Sequence, residues 1–488
     1  MNVIVNNSPN EPALKSPNTV LANALLRTID LIRPRVITDR PDKIVFVVGT
    51  QINGAPHFGT NLVQSAAFSL ARLARRRFSL STSVKFVALD NAPHEVILDP
   101  EVFHAYQKTY FHALGGSGVD DLIDQYYREF FESLSDATDA EYEIETYSDQ
   151  QSTAEFRATF LESLESLEEI RWWLAPSHGS VHLRVPCPHC GWAEKRAERT
   201  QIIRQYDGAV LIGAECFNHG EYQIEIDPNG ENYLDLNTLF RNLVKERALA
   251  KEAGALFVMV KGGDWAFGCQ LVDGAHSAMG LAGERLPPRV FVPQVLSNDG
   301  AKLSKSLLRD PQGNSVEGVP PWMIDSSDWD GSVDEYVDAL LWLVETITGD
   351  PKDFFRAFTT TEIVRLWDMR PVTKGPRVRG MAIYKRFFNM IANGEKTIEV
   401  RVGYSSMKKI QPGQLIRFEC AGEKCLTRVK RVANYSSFEE LLDNEPLKAI
   451  NPAIDRETQI KELRQIFSRD REALGVIAIE IEREEAEA

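Results

Sequence analysis

Two short stretches carry residue types suited to work on a phosphate chain. They are Gly54-Ala55-Pro56-His57-Phe58-Gly59-Thr60 and, about 240 residues later, Lys302-Leu303-Ser304-Lys305-Ser306. His57 can donate to phosphate oxygens as charge reorganises during in-line attack at an α-phosphorus. Gly59 lets a nucleotide lie against the backbone where a side chain would collide. Lys302 and Lys305, on a mobile loop, can fold over a leaving pyrophosphate and stabilise charge that grows only in the transition state. Ser304 and Ser306 add donors. Singly, each stretch also reads as an ordinary turn or exposed loop; their order, with a strand-like run ahead of the first, gives the pair its weight.

A second constellation has metal-ligand spacing. Cys187-Pro188-His189-Cys190 and Cys216-Phe217-Asn218-His219 form C-x2-C, 25 residues, C-x2-H. Two ligand pairs on tight knuckles match a closed Cys3His zinc site. So small an insertion has little core of its own, and a bound Zn2+ would replace one. No position is open for water, so the expected role is structural. His189 competes with His219 as fourth ligand, and unmetallated thiols are the remaining alternative.

A third group lies late in the chain. In Lys396-Thr397-Ile398-Glu399-Val400-Arg401, alternation places Thr397, Glu399 and Arg401 on one strand face, with Lys396 at its start. A lysine, a carboxylate and an arginine in one cleft would bind a polar nucleobase or a phosphate. The competing reading is an ion-pair ladder across a barrel mouth.

The elements that must position these groups can be read from the pattern. Lys43–Gly49 is a short apolar, β-branched run, a buried-strand signature. Asn61 to Arg77 has helical apolar spacing and a basic end suited to a helix C-terminus. Val84–Leu89 reads as a second strand ending at Asp90. Strand, turn, helix and strand make a βαβ unit, hence a doubly wound parallel α/β sheet. Ala255–Val260 and Val290–Val295 fit further strands of that sheet. Residues of about 100–175 read as one long acidic helical stretch, and about 180–228 as a β-rich, Cys-containing insertion. An amphipathic helix falls near Val333–Ile347. A new module starts near Gly375-Pro376: a helix face of Ile383, Phe387, Met390 and Ile391 capped by Gly394, then strands at Thr397–Val402, Leu415–Cys420, Cys425–Val432 and Val476–Ile481. These suggest a small β-barrel. The expected division is an N-terminal extension (1–40), a catalytic domain (41–310), a short helical connector (311–375) and the C-terminal module (376–488).

Composition bounds the partners. The 488 residues exceed what one core usually holds. No apolar run approaches the length of a membrane span, and the first residues lack a signal-peptide pattern; a cytoplasmic location is expected. The net charge of −15 argues against a surface that grips nucleic acid throughout. It is unevenly spread: residues 376–431 hold 13 Lys/Arg against 4 Asp/Glu, and residues 1–375 hold 35 against 52. The basic segment reads either as a polyanion contact or as a solvated surface.

The paired stretches resemble the HIGH and KMSKS signatures of class I aminoacyl-tRNA synthetases. Over roughly residues 40–310 the chain is most similar to the class I lysyl-tRNA synthetases, through the strand before His57, the strand end at Asp90, Ile170-Arg171-Trp172-Trp173, the ribbon, and Gly262-Gly263-Asp264. The resemblance implies a Rossmann-like (HUP) core that binds ATP with Mg2+ bridging its phosphates. Its ATP set is Gly54, Pro56, His57, Gly59 and Thr60 with Asp264, Lys302, Ser304, Lys305 and Ser306. His57, Lys302 and Lys305 would be catalytic, and Asp90 and Asp264 would meet the amino acid. Thr60 replaces the second His of the signature, Trp265 stands where the family has His, and Tyr233-Leu234-Asp235-Leu236 replaces a Trp-rich segment. In synthetases such ribbons brace the acceptor end of tRNA. Gly394-Glu395-Lys396-Thr397-Ile398-Glu399-Val400-Arg401 resembles the G-x-K-x-x-E-x-R signature of the ASCH domain, a relative of the PUA RNA-binding barrel. That implies RNA or nucleotide binding at Lys396, Thr397, Glu399 and Arg401, or hydrolysis of an acylated cytidine. Only about 65 residues separate Ser306 from this module, too few for a lysyl-type anticodon cage. The expected activity is ATP-dependent formation of an aminoacyl adenylate and its transfer to tRNA or another RNA. Transfer to a small-molecule amine, or a non-catalytic RNA-binding sensor, are the alternatives.

Overall fold

The computed structural model describes residues 25–98, 104–175, 183–281, 285–298, 300–303, 319–349, 356–371, 378–403, 407–420, 423–467 and 469–484. Ser304, Lys305 and Ser306, the Gly375-Pro376 junction and most of the N-terminal extension lie outside them.

Five parallel strands form the central sheet: β1 (Lys43–Gln51), β2 (Ser81–Leu89), β3 (Glu141–Thr146), β4 (Ala255–Gly262) and β5 (Arg289–Val292). Their order is β5-β4-β1-β2-β3. The period-2 alternation of β1 feeds two cores. Ile44, Phe46 and Val48 pack with Leu62, Ala66 and Leu70 of α1 (Phe58–Phe78). Val45 and Val47 pack with Phe257, Met259 and Leu249, the last from α2 (Thr238–Lys251). Helices therefore cover both faces, as a parallel sheet requires. Each buried aliphatic or aromatic side chain contributes about 1.5–3 kcal/mol. A further helix, α3 (Ala266–Ala278), follows β4 and packs against α2.

The segment expected to be one acidic helical stretch is interrupted by Ala105–Thr109 and by β3. In β3, Glu141, Glu143 and Glu145 alternate with Tyr142 and Ile144, which pack on the core. At a sheet edge the glutamates face solvent or Lys85, so composition masked a strand.

The expected insertion forms an antiparallel sheet from Gln201–Tyr206, Ala209–Cys216 and Gly220–Ile226. The connector then folds back on the core through Pro321–Ile324, α4 (Val333–Gly349) and Thr360–Asp368. Trp322 and Trp367 meet edge-on the ring of Phe58, at 5.6 and 5.7 Å between centroids, and lie 4.8 Å from each other.

The C-terminal module contains β6 (Arg379–Ala382), α5 (Lys385–Ala392), β7 (Ile398–Val402), β8 (Leu415–Cys420), β9 (Glu423–Tyr435) and β10 (Val476–Arg483). Its sheet runs β6-β8-β9-β10-β7 and is antiparallel except for β6 with β8. Edge strands β6 and β7 do not pair with each other among the described residues, so the expected barrel is a curled half-barrel. Gly394 follows α5 at φ 76° and donates to the Ile391 carbonyl, as a helix C-terminus favours. Helices Phe438–Asn444 and Arg456–Ile466, not foreseen from sequence, cover the sheet face carrying Val400 and Ala478.

The basic excess of residues 376–431 has a use that neither sequence reading foresaw. Arg379 is buried in an ion pair with Glu129, and Arg417 pairs with Asp136 at 2.5 Å. Arg471 reaches Asp121 in the same way. Others pair within the module, including Lys430 with Glu482 and Arg431 with Glu445. Individual ion pairs of this kind tie the C-terminal module to the acidic core.

Candidate active site

The sheet, α1 and α2 meet at a cavity of about 440 Å3 along the C-terminal ends of β1 and β4, where parallel α/β sheets present ligands. The turn after β1 enters it through Pro56, His57, Gly59 and Thr60. His57 precedes the first turn of α1 with extended backbone, so that helix start opens on the cavity. Unpaired N–H groups and the helix dipole favour an anion there. Thr60 Oγ1 lies 3.1 Å from His57 Nε2 and fixes the imidazole; the residue replacing the second histidine thus orients the first. A Cβ on Gly59 would stand 3.1 Å from His57 Cε1, so glycine also makes room for that ring.

The connector holds this turn from behind. Ser326 N donates to Pro56 O at 3.2 Å, and Asn61 Nδ2 donates to Tyr336 Oη at 3.1 Å. Phe58 is locked among Trp322 and Trp367 as described above. Gly54, at φ 105°, stands just before; its carbonyl accepts from Tyr127 Oη at 3.3 Å.

Lys302 lines the same cavity. It sits on a short hairpin, not a free loop: Lys302 bridges Leu296, Leu303 N donates to Val295 O at 3.0 Å, and Ser297 N donates to Ala301 O at 2.7 Å. Its ammonium pairs with Asp264, which follows β4. The first stretch, Lys302 and Asp264 therefore converge on one cavity. Asp90 does not line it. It is fully buried, accepts from Ser148 N at 3.1 Å and from Ser148 Oγ, and burial raises its carboxyl to about 6. The preceding residue, Leu89, lines the cavity in its place.

Other lining residues were missed from sequence, among them Gln64 on α1, Arg241 and Lys245 on α2, and Lys261 on β4. Gln64 is buried, and neither of its amide atoms has a hydrogen-bond partner among the described residues. A buried amide without partners costs free energy unless something else satisfies it. Arg241 and Lys245, four apart, share one helix face, a pattern that is usually solvated; here packing buries that face beside Phe240 and Val244.

The four expected metal ligands also come together. Ligand atoms of Cys187, Cys190, Cys216 and His219 all lie within 4.8 Å of one another. Cys190 and Cys216 sulfurs are 3.5 Å apart, and His219 Nδ1 is 3.6 Å from Cys187 Sγ and 3.7 Å from Cys216 Sγ. A tetrahedral ion with bonds near 2.3 Å has ligand edges of about 3.8 Å, so the set fits a metal. His189 is exposed and outside the cluster.

In the C-terminal module, Lys396, Glu399 and Arg401 line a separate cavity of about 440 Å3, walled also by Asp124 and Arg128 of the core. Lys396 Nζ donates to Ile398 O at 2.7 Å and Ile450 O at 3.0 Å, and lies 3.2 Å from Glu399. Glu399 also pairs with Arg401 at 2.9 Å. Thr397 is exposed and not part of this lining, although its carbonyl still accepts from Ile481 N at 2.8 Å.

Comparisons with known proteins bear on both parts. The ASCH domain family matches residues 381–485. No curated protein matches the chain. A Pyrococcus furiosus protein solved in solution is 35% identical, over 22% of this chain and 96% of its own, with a TM-score of 0.20. A tyrosyl-tRNA synthetase from Archaeoglobus fulgidus, solved with L-tyrosine, is 13% identical over 71% of this chain and 95% of its own, TM-score 0.31. A tryptophanyl-tRNA synthetase from Encephalitozoon cuniculi is 11% identical over 70% and 82%, TM-score 0.27. Similarity at these levels leaves the chemistry of the core to its own residues. The C-terminal module, residues 381–485, belongs to the ASCH domain family, carried behind a parallel-sheet α/β core.

Proposed function

We propose that the core activates an amino acid with ATP, forming an aminoacyl adenylate and pyrophosphate, and passes the acyl group to an RNA. The observation that carries this reading is the meeting of His57, the α1 N-terminus and the Lys302–Asp264 pair on one cavity. In it, the α1 N-terminus and His57 hold phosphate oxygens. The substrate carboxylate attacks the α-phosphorus in line, and Lys302 exchanges Asp264 for the leaving pyrophosphate as negative charge grows there. A bound Mg2+ would supply charge neutralisation along the triphosphate. Lys305 would add a second cation. The Cys3His cluster suits Zn2+, which would brace the ribbon. The ASCH domain and the ribbon favour RNA as acceptor.

A second reading, transfer to a small-molecule amine, has its own observation. The described helices between Lys302 and the ASCH domain pack back on α1, among them the aromatic cluster at Phe58.

Amino-acid-dependent ATP–pyrophosphate exchange tests the activity. Exchange is expected with a particular amino acid. Lys302→Ala should lower it at least tenfold, about 1.4 kcal/mol of transition-state stabilisation. No exchange with any of the twenty amino acids would remove the proposal.

A further inference from the structure

The cavity holds more positive charge than a nucleotide at α1 accounts for. Its lining includes four cations, Arg241, Lys245, Lys261 and Lys302, and one carboxylate, Asp264. Lys302 and Asp264 pair with each other. The remaining three stand on the other side of the sheet. The β4 residues Phe257 and Met259 face the α2 side, and Lys261 continues that alternation; Leu256, Val258 and Val260 face α1. Arg241 and Lys245 come from α2 itself. His57 and the α1 N-terminus belong to the opposite face. The cavity thus spans the sheet edge, with one anion-binding end at α1 and a cationic end at α2.

Protein groups only partly satisfy the cationic end. Arg241 donates to Asn91 Oδ1 at 2.9 Å and lies over the Tyr147 ring. Lys261 donates to Asn242 Oδ1 at 3.0 Å and lies 3.4 Å from Glu246. Glu246 is fully buried and also held by Arg289, which neutralises it from below. Lys245 is 8% exposed, and the carboxylate that acts on it, Glu246, is shared with Lys261 and Arg289. An ammonium buried beside two further cations, with one carboxylate shared among them, is expensive to maintain, and a cavity lined in this way is built to receive negative charge.

Resting on the activation reading above, we infer that the α2 end binds a second anionic group on the acid being activated, so that the substrate class is dicarboxylic amino acids. One carboxylate attacks at the α1 side, and the other sits among Arg241, Lys245 and Lys261. The side chain of lysine would meet three like charges there.

The test combines binding with exchange. Aspartate, glutamate, lysine, glutamine and inorganic pyrophosphate are titrated into the full-length protein by calorimetry, with and without an unreactive ATP analogue. A dicarboxylic amino acid should bind, Lys245→Met should weaken it at least tenfold, and ATP-analogue affinity should change less than threefold. Because Lys245→Met removes a buried charge, the variant should unfold at a higher temperature than the wild type, which separates lost binding from lost folding. Exchange with lysine or a neutral amino acid, without dicarboxylate binding, would overturn this inference and leave the activation reading standing. Loss of pyrophosphate or ATP-analogue binding in Lys245→Met, with no dicarboxylate effect, would assign the cluster to phosphate and also overturn it. Dicarboxylate binding that depends on Lys245, with no exchange, would keep an anion site at α2 but overturn both activation and the assignment of that acid as its substrate.

Discussion

At the scale of single residues, Lys245 is where stability and function pull apart. Burial, with Lys261 and Arg241 alongside, lowers its ammonium to about 7. The groups facing it are Arg241 and Glu246 of α2, Lys261 of β4 and Cys269 of α3; Glu246 and Cys269 act in the opposite sense. In the unfolded chain a lysine holds its proton up to about pH 10.4. Between pH 7 and 10 the unfolded state therefore binds more protons, and stability rises with pH through that window. Below pH 7 the full cost is present. Lys245→Met should stabilise the protein by a few kcal/mol at pH 7, at about 1.4 kcal/mol per pKa unit, and by much less at pH 10. Urea denaturation of both proteins at the two pH values checks this. An equal difference at both would contradict it. Asp90 behaves in the opposite way. Its carboxyl, raised to about 6, makes the protein lose stability as pH rises from about 4 to 6, and its buried contact with Ser148 places it with the structural residues.

At the scale of elements, the connector explains how a short chain segment supports the proposed nucleotide site. Thr360–Asp368 and Pro321–Ile324 bring Trp367 and Trp322 against Phe58, one residue past His57. Trp367→Ala should cost about 3–5 kcal/mol as a large buried aromatic lost from the core. It should also depress exchange in the folded fraction, since the turn carrying His57 loses its support. Thermal unfolding with exchange per folded molecule checks both, and full activity in the folded fraction would separate the cluster from the site. This same region shows how much the sequence disclosed. Lys43–Gly49, the helix after Gly59 and the ribbon cysteines were legible because strong local patterns mark them. The strand Glu141–Thr146 was not, because its glutamates lie on an exposed edge. Gln64, Arg241, Lys245 and Lys261 were not, because their meaning depends on two helices on opposite faces sharing one sheet edge. Thr397 was drawn into the ASCH set by alternation, but it is exposed and outside the cavity lining.

At the scale of the whole molecule, arginines of the C-terminal module pair with acidic residues of the core. Arg379 with Glu129 and Arg417 with Asp136 tie the ASCH domain to the core, and Asp124 and Arg128 of the core wall the ASCH cavity. A buried ion pair of this kind resists loss of one partner more than it adds by itself; it fixes how the two parts meet. The proposed nucleotide site is likewise assembled from distant chain segments, His57 before the ribbon and Lys302 after it. In the structure each has its own polar neighbour, Thr60 and Asp264 respectively. A triphosphate held by both, as proposed, would couple them in ATP binding. A double-mutant cycle on ATP affinity, with His57→Ala, Lys302→Ala and the pair, measures that link directly. Both residues touching one ATP predicts a coupling above about 0.5 kcal/mol; losses that simply add, with each single variant weakening binding, would contradict a shared triphosphate.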